Sequence, residues 1–277
     1  YGDGDSDHAV HEMRAVNRVK DVRHPLLLSI ERVESVGGNL VIVTELGDGH
    51  LKDCFQFHRK QGRPGIPQAQ LFGICRDVAD ALDYMYFEYS LQHLDVKPEN
   101  ILLVGGRAKL ADYGLVKNLY ERSCSLVNGL TPAYSPPELC EGKPSRHSDQ
   151  YSLAIVYVQM LTGELPFLAA STAQLATQHL QATPDLSALP KHQRPILARA
   201  LSKDPENRYE SCRALVDALQ TAELIQTAAG QRESVELPGK RSPRSDSAER
   251  SSAEAAQRQS VGTSDGGRSA SNTATGG

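Results

Sequence analysis

The stretch HLDVKPEN, residues 93–100, decides how this sequence is interpreted. It places a carboxylate (Asp95), an ammonium group (Lys97) and an amide (Asn100) at intervals of two and three residues, and an apolar strand candidate, 101–104, follows directly. A rigid loop in front of a strand can aim all three side chains at one point. The stretch therefore predicts a compact polar site on a loop.

A second polar stretch, Asp112-Tyr113-Gly114, follows the next short strand candidate. Its carboxylate and the amide of Asn100 provide oxygen ligands of the kind that Mg²⁺ takes. Asp95 can then accept a proton from an attacking hydroxyl, while Lys97 neutralises phosphoryl oxygens. Together these residue types predict phosphoryl-transfer chemistry.

In this order, HLDVKPEN, DYG, TPAYSPPEL (131–139) and DQYSL (149–153) resemble the catalytic lobe of eukaryotic-type protein kinases. The resemblance covers residues 1 to about 224, and the sequence around the motifs is similar to that of bacterial serine/threonine kinases such as those of the Planctomycetes. It implies an α+β, protein-kinase-like two-lobed fold with an incomplete small β lobe and a mainly helical large lobe. The implied reaction moves the γ-phosphoryl group of ATP, with Mg²⁺, to a Ser or Thr hydroxyl of a protein.

The resemblance also implies a role for individual residues. Asp95, Lys97 and Asn100 form the catalytic set, and Asn100 and Asp112 hold the metal ion. The nucleotide is expected to contact a second set, made of Thr44, Glu45, Leu46, Leu102, Asp112 and Glu12.

Most of the nucleotide set comes from the run 40–46, which resembles the strand that leads into the hinge beside adenine. Thr44 would be the gatekeeper, Glu45 and Leu46 would offer backbone groups to the base, and Leu102 would close the pocket from below. An ordinary edge strand is the alternative. Glu12 lies three residues before the position where the usual spacing would place the glutamate that pairs with the phosphate-binding lysine. A solvated glutamate is its alternative.

The resemblance implies structural roles as well. Glu138 is expected to pair with Arg208, and Asp149 to bond the backbone of the catalytic loop. His93 and Tyr113 are expected to be packing residues.

The chain departs from the family near its start, because it contains no glycine-rich loop and no V-A-I-K strand, and its first lysine is Lys20. Two explanations compete: a kinase whose N-terminal strands are missing from this chain, or a pseudokinase that acts as a binding or scaffold module. The complete set at residues 95–112 favours truncation, with little activity for the chain as given. A small-molecule kinase is a further alternative, although the TPAYSPPEL stretch is typical of a peptide-docking shelf.

Three parts are predicted along the chain. Residues 1–46 form the partial small lobe, with the hinge at 44–47, and residues 47–226 form the large lobe. Residues 227–277 are predicted to be disordered, since large apolar side chains are scarce there. Within these parts the patterns predict a helix over 12–22, strands at 26–30, 40–44, 101–104 and 108–111, a helix with the apolar stripe 71–85, and a buried helix from 151.

The partners that the resemblance implies are ATP and a protein substrate with a Ser or Thr acceptor, and composition excludes one other class of partner. A net charge of −4 and a pI near 6.2 give no basic face for nucleic acid. The five cysteines include no C-x-x-C pair, which argues against a zinc site or a disulfide framework and favours a cytoplasmic location. The longest apolar stretch, 151–170, is interrupted by polar residues and Pro166, so no membrane segment is predicted within this chain.

Overall fold

The structure is a computed structural model, and it describes residues 22–37, 39–112 and 131–233. Glu12 and Tyr113 lie outside the described residues, and so does the helix predicted over 12–22, except for Val22, which is not helical. The predicted disordered tail lies outside them from residue 234 onward.

The first sheet is an antiparallel hairpin of β1 (Ile30–Val36) and β2 (Asn39–Thr44). Gly37, which follows β1, takes a left-handed φ of +59° that a glycine adopts without strain. The strand predicted at 26–30 is wrong, because β1 begins where that strand was expected to end.

The prediction failed because the apolar run 26–28 is buried in the core without being part of a strand. Leu28 N–H donates to the Leu110 carbonyl at 2.9 Å, and Leu110 N–H donates to the Leu26 carbonyl at 2.8 Å. The run therefore contacts the strand that contains Leu110 through a single isolated bridge, which is made by Leu27. The true strand, β1, carries exposed charged residues that hide its period.

The second sheet has the order β3–β4–β5, with β3 at Gly49–His50, β4 at Ile101–Val104 and β5 at Arg107–Leu110. Both pairs are antiparallel. A Gly105-Gly106 turn joins β4 to β5 with φ angles of +56° and +80°, which suit a two-residue hairpin. β5 lies one residue earlier than predicted.

The rest of the described chain is mainly helical, as predicted. The helices are α1 (Leu51–Lys60), α2 (Gln68–Tyr89), α3 (Pro137–Cys140), α4 (Ser148–Thr162), α5 (Thr172–Gln181), α6 (Arg194–Ala200) and α7 (Cys212–Glu233). Short 3₁₀ helices span Pro98–Asn100, Pro132–Tyr134 and Pro205–Asn207. α7 runs beyond residue 226, so the first residues of the predicted disordered tail are helical.

Helices α2 and α4 form the framework that holds the catalytic segment. The predicted stripe of α2, from Leu71 to Met85, is buried, and α4 is buried along nearly its whole length. On α2, Asp77 binds the Arg107 guanidinium with both oxygens, at 2.9 and 2.7 Å, which fixes α2 to β5. The hairpin β4–β5 is therefore anchored where it carries the predicted site. In the described part of the chain, none of the helices has the length and apolar character needed to span a bilayer.

Candidate active site

The catalytic segment is held from below by one buried carboxylate on α4. Asp149 accepts hydrogen bonds from the backbone N–H groups of His93 and Leu94, at 2.8 and 2.7 Å, as predicted. Burial raises the pKa of Asp149, and the two N–H donors oppose that change. Leu94 has a left-handed φ of +61°, an uncommon conformation for a branched residue. The Asp149 bond helps hold the backbone in this strained state.

His93 links the catalytic segment to the end of β5. Its ring is buried, and Nε2–H donates to the Ala111 carbonyl at 2.7 Å while Nδ1 accepts from Asp95 N–H at 3.2 Å. These two partners make Nε2 the donor and Nδ1 the acceptor of the ring. The prediction of a packing role for His93 is confirmed, and the bond places Asp95 relative to the residue that precedes Asp112.

The three predicted catalytic side chains meet in one cluster with Thr131. Lys97 Nζ lies 2.5 Å from Asp95 Oδ2 and 3.1 Å from Thr131 Oγ1. The Thr131 hydroxyl donates to Asp95 Oδ1 at 3.0 Å. The Asn100 amide nitrogen donates to the Asp95 carbonyl at 2.9 Å and to Oδ2 at 3.1 Å. The Asp95 side chain remains 33% exposed, so a hydroxyl can still approach it.

A backbone hydrogen bond brings the segments of the two predicted metal ligands, Asn100 and Asp112, together. Ala111 N–H donates to the Asn100 carbonyl at 2.8 Å, and Asp112 follows directly with an exposed side chain and a φ of +60°. Because Asn100 uses its amide nitrogen on Asp95, its side-chain oxygen is left for a cation. One amide oxygen and one carboxylate fit Mg²⁺, which is commonly bound through few protein oxygens together with substrate phosphates. Among residues 22–37, 39–112 and 131–233 there is no cluster of three His, Cys, Asp or Glu suited to a metal ion.

The hinge residue Glu45 is held by hydrogen bonds from its backbone and to its side chain. Its backbone N–H donates to the Ser29 carbonyl at 3.1 Å, so the backbone carbonyl is the group left for a base. Its carboxylate accepts two bonds from Lys109 Nζ, at 2.7 and 2.8 Å, and one from Ser29 N–H at 2.8 Å. Burial raises the pKa of Glu45, but these donors outweigh it and lower the pKa below its ordinary value.

Three other predicted nucleotide residues, Thr44, Leu46 and Leu102, lie at the hinge or against it. Thr44 is exposed at the end of β2, opposite Ile30, and Leu46 is 92% exposed. Leu102 lies against the hinge, since a Cβ added at Gly47 would be 3.3 Å from its side chain. These positions are compatible with the predicted adenine pocket, and the role of each residue in binding stays a prediction.

The Glu45–Lys109 ion pair escaped sequence analysis. Lys109 faces Leu102 across the β4–β5 ladder and lies three residues before Asp112. The pair therefore joins the hinge to the strand that leads into the predicted metal ligand. No local pattern links two opposite charges that are 64 residues apart in the chain.

The substrate side of the site is a 3₁₀ helix fixed to α4. Tyr134 OH donates to Gln159 Oε1 at 2.7 Å, and the Ser152 hydroxyl donates to the Tyr134 carbonyl at 2.8 Å. Burial raises the pKa of Tyr134 to about 12, and the charge of Glu99 adds to the effect. Thr131, at the start of this segment, is thereby held against Asp95.

The predicted pair of Glu138 and Arg208 is confirmed as a buried bidentate ion pair. Arg208 Nη1 and Nη2 donate to the two Glu138 oxygens at 2.7 and 2.8 Å. Burial raises the pKa of Glu138, but the guanidinium outweighs it and lowers the pKa overall. This pair joins the segment after Tyr134 to the region before α7.

The fold and site define the class of protein. Residues 2–220 match the protein kinase domain family, so the chain belongs to the protein kinases. The predicted kinase fold is confirmed by the kinase domain of Mycobacterium tuberculosis PknI. That crystal structure aligns with a TM-score of 0.61 and 26% identity, over 78% of this chain and 79% of that one.

Among curated proteins, the chain is similar to bacterial serine/threonine kinases. It is 31% identical to the serine/threonine-protein kinase PknF of Mycobacterium tuberculosis (strain ATCC 25618 / H37Rv), over 86% of this chain and 53% of that protein. It is 29% identical to PknB of Mycobacterium leprae (strain TN), over 79% of this chain and 36% of that protein. The chain thus spans about half of the length of PknF and about a third of the length of PknB. The narrower likeness to kinases of the Planctomycetes stays a prediction.

Proposed function

We propose that this domain transfers the γ-phosphoryl group of ATP to Ser or Thr hydroxyls of a protein substrate. The observation that carries the proposal is the closed set of hydrogen bonds among Asp95, Lys97 and Thr131. A carboxylate, a cation and a hydroxyl group converge there on one accessible point. Similarity to serine/threonine kinases supports the choice of acceptor.

In this proposal Asp95 orients the incoming hydroxyl and accepts its proton as the new bond to phosphorus forms. Lys97 lies close enough to Asp95 to stabilise negative charge on the transferred group. Asn100 and Asp112 would hold Mg²⁺, which would neutralise phosphate oxygens when bound. Asp149 and His93 keep the loop in place, and Thr131 fixes the orientation of the Asp95 carboxylate.

The nucleotide would bind between the hinge and Leu102. In this proposal the Glu45 carbonyl accepts a hydrogen bond from adenine, and the Lys109 ion pair holds this residue in position. Because the sequence contains no glycine-rich loop and no lysine before Lys20, the phosphates would lack the backbone amides and the cation that hold them in line. We therefore expect weak turnover by this chain on its own.

A radiometric assay at high protein concentration tests the proposal. The chain is incubated with labelled Mg-ATP and a generic protein substrate, and the phosphorylated residues are identified. We expect low incorporation on Ser and Thr that Asp95→Asn removes. Lys60→Met, on the exposed last turn of α1, is the control for surface changes. Mainly phosphotyrosine, or incorporation that survives Asp95→Asn, would contradict the proposal.

A pseudokinase that acts as a binding module is the second candidate, since residues 1–277 contain no glycine-rich loop and no lysine before Lys20. It predicts saturable nucleotide binding without any Asp95-dependent incorporation. Calorimetry with Mg-ADP beside the radiometric assay separates the two functions. Strong Asp95-dependent turnover by this chain would instead imply a substitute lysine, and Lys20 would be the first to mutate.

A further inference from the structure

A charge pair lies beside the cluster of Asp95, Lys97 and Thr131. Lys52, in the first turn of α1, donates from Nζ to Glu99 Oε1 at 2.7 Å. The second oxygen of Glu99, Oε2, is shut off from solvent and has no hydrogen-bond partner in the described residues. One Glu99 oxygen is thus out of reach of a group in solvent, and Lys52 covers the other.

This pair lies on the substrate side of the site. Glu99 is the residue between Pro98 and Asn100, and the amide of Asn100 bonds Asp95. Its charge acts on Tyr134 of the substrate-side 3₁₀ helix, and the charge of Lys97 acts on it in turn. Glu99 is therefore within electrostatic reach of both the Asp95 cluster and the neighbouring 3₁₀ helix.

The charge state of Glu99 follows from its surroundings. Burial raises the pKa of this carboxyl, but the bond from Lys52 and the nearby Lys97 outweigh burial and lower the pKa. Glu99 is therefore ionised at neutral pH. An ionised, partly desolvated carboxylate attracts a cation strongly unless one is already present. Here the chain provides that cation itself, from α1.

We propose that Lys52 is a specificity-determining residue: it covers Glu99, so the substrate groove does not select cationic side chains. The substrates are then proteins with neutral or acidic residues beside the acceptor Ser or Thr. This inference rests on the proposed function, since it concerns the peptide groove of the same site.

Peptide binding tests the inference without requiring turnover. Pairs of fluorescent Ser peptides are compared by anisotropy. Each pair differs at one position within four residues of the Ser, where one peptide carries Arg and its partner carries Gln. The proteins are the wild-type chain, Lys52→Met, Lys60→Met and the double variant Lys52→Met/Glu99→Gln. Lys60→Met is the matched control, because it removes the same charge from an exposed position of the same helix.

We expect the wild-type chain to bind the Arg and Gln peptides with Kd values within about twofold. Lys52→Met should bind the best Arg peptide about fivefold more tightly than its Gln partner, the gain typical of one partly exposed ion pair. Lys60→Met should behave as wild type, and the double variant should lose the gain. Glu99→Gln alone frees Lys52 and should tighten binding of an Asp-containing peptide by a similar factor.

Two results would overturn the inference. One is a wild-type chain that already prefers the Arg peptides. The other is a Lys52→Met variant, folded by circular dichroism, that binds them no more tightly than Lys60→Met at millimolar peptide. A chain that shows the expected binding changes but never phosphorylates Ser or Thr would instead reject the kinase proposal and leave the role of Lys52 standing.

Discussion

The catalytic segment and the hinge differ in how their functional residues are held. At residues 93–100, the important groups lie within a few residues of one another, and a single helix, α4, fixes their backbone through Asp149. At the hinge, Glu45 depends on Lys109, which comes from a strand much later in the chain. The catalytic segment is therefore built from residues that are close in the sequence, whereas the hinge depends on an ion pair between distant residues.

The substitution with the greatest expected effect removes the carboxylate of the catalytic segment. Asp95→Asn should reduce Asp95-dependent phosphoryl transfer by about 10²–10⁴-fold, because the proton acceptor is lost. The affinity for Mg-ADP, measured by calorimetry, should change little. Asp112→Asn should instead change nucleotide affinity: it should weaken binding of Mg-ADP more than binding of ADP with EDTA.

The two variants serve as controls for each other, because they remove the same charge at neighbouring points of the site. If both leave nucleotide binding and incorporation at wild-type levels, the assignment of roles is wrong. Equal losses of magnesium-dependent binding in both variants would also contradict it.

A second prediction concerns the buried ion pair that supports the substrate side. Arg208→Met leaves the Glu138 carboxylate buried without its cation, which should lower the free energy of unfolding by about 3–5 kcal/mol. Urea denaturation followed by circular dichroism measures the change. Arg32→Met is the matched control, because Arg32 pairs with Glu34 on the surface and should cost less than about 1 kcal/mol.

The double variant Glu138→Gln/Arg208→Met sharpens this prediction. It removes the stranded charge, so it should recover part of the stability that Arg208→Met loses. A loss for Arg208→Met no larger than that for Arg32→Met would show that the buried pair contributes little.

The sequence predicted the catalytic segment well because its chemistry lies in consecutive residues. Asp95, Lys97 and Asn100 are close in the chain, so they must also be close in space. The apolar stripe of α2 was equally readable, since its period is local. By contrast, β1 was misplaced because the buried run 26–28 is a stronger apolar signal than the exposed, charged strand that follows it.

Three unpredicted contacts near the site join distant parts of the chain. Lys109 with Glu45, Lys52 with Glu99 and Asp77 with Arg107 each depend on how helices and strands pack, which charge patterns along the sequence do not encode. The Glu138–Arg208 pair is equally distant, and it was expected only from the family resemblance. Physical reasoning from local sequence thus finds the chemistry of the site more readily than the contacts that position it.

The substitution with the smallest expected effect tests how the hinge is held. Lys109→Met removes the cation from Glu45, whose side chain is only 22% exposed, and should lower the free energy of unfolding by about 1 kcal/mol at pH 7. It should also weaken adenosine binding, because the Glu45 carbonyl loses its support. Asp112→Asn should leave adenosine binding unchanged, since no metal takes part.

The pH dependence of the Lys109→Met effect separates this ion pair from simple packing. The pKa of Glu45 is lowered in the folded chain, so its contribution is complete above the ordinary carboxyl pKa of 4.5 and is lost as pH falls through the folded value. Without Lys109 the buried carboxyl takes up a proton more readily, and the difference between wild type and variant should shrink as pH falls below 4.5. Urea denaturation from pH 7 to pH 3.5 measures this trend, with Lys60→Met as the control. If the difference stays constant over that range, the Lys109 stem stabilises the hinge by packing, and the charge pair has no part in holding the distant half of the site.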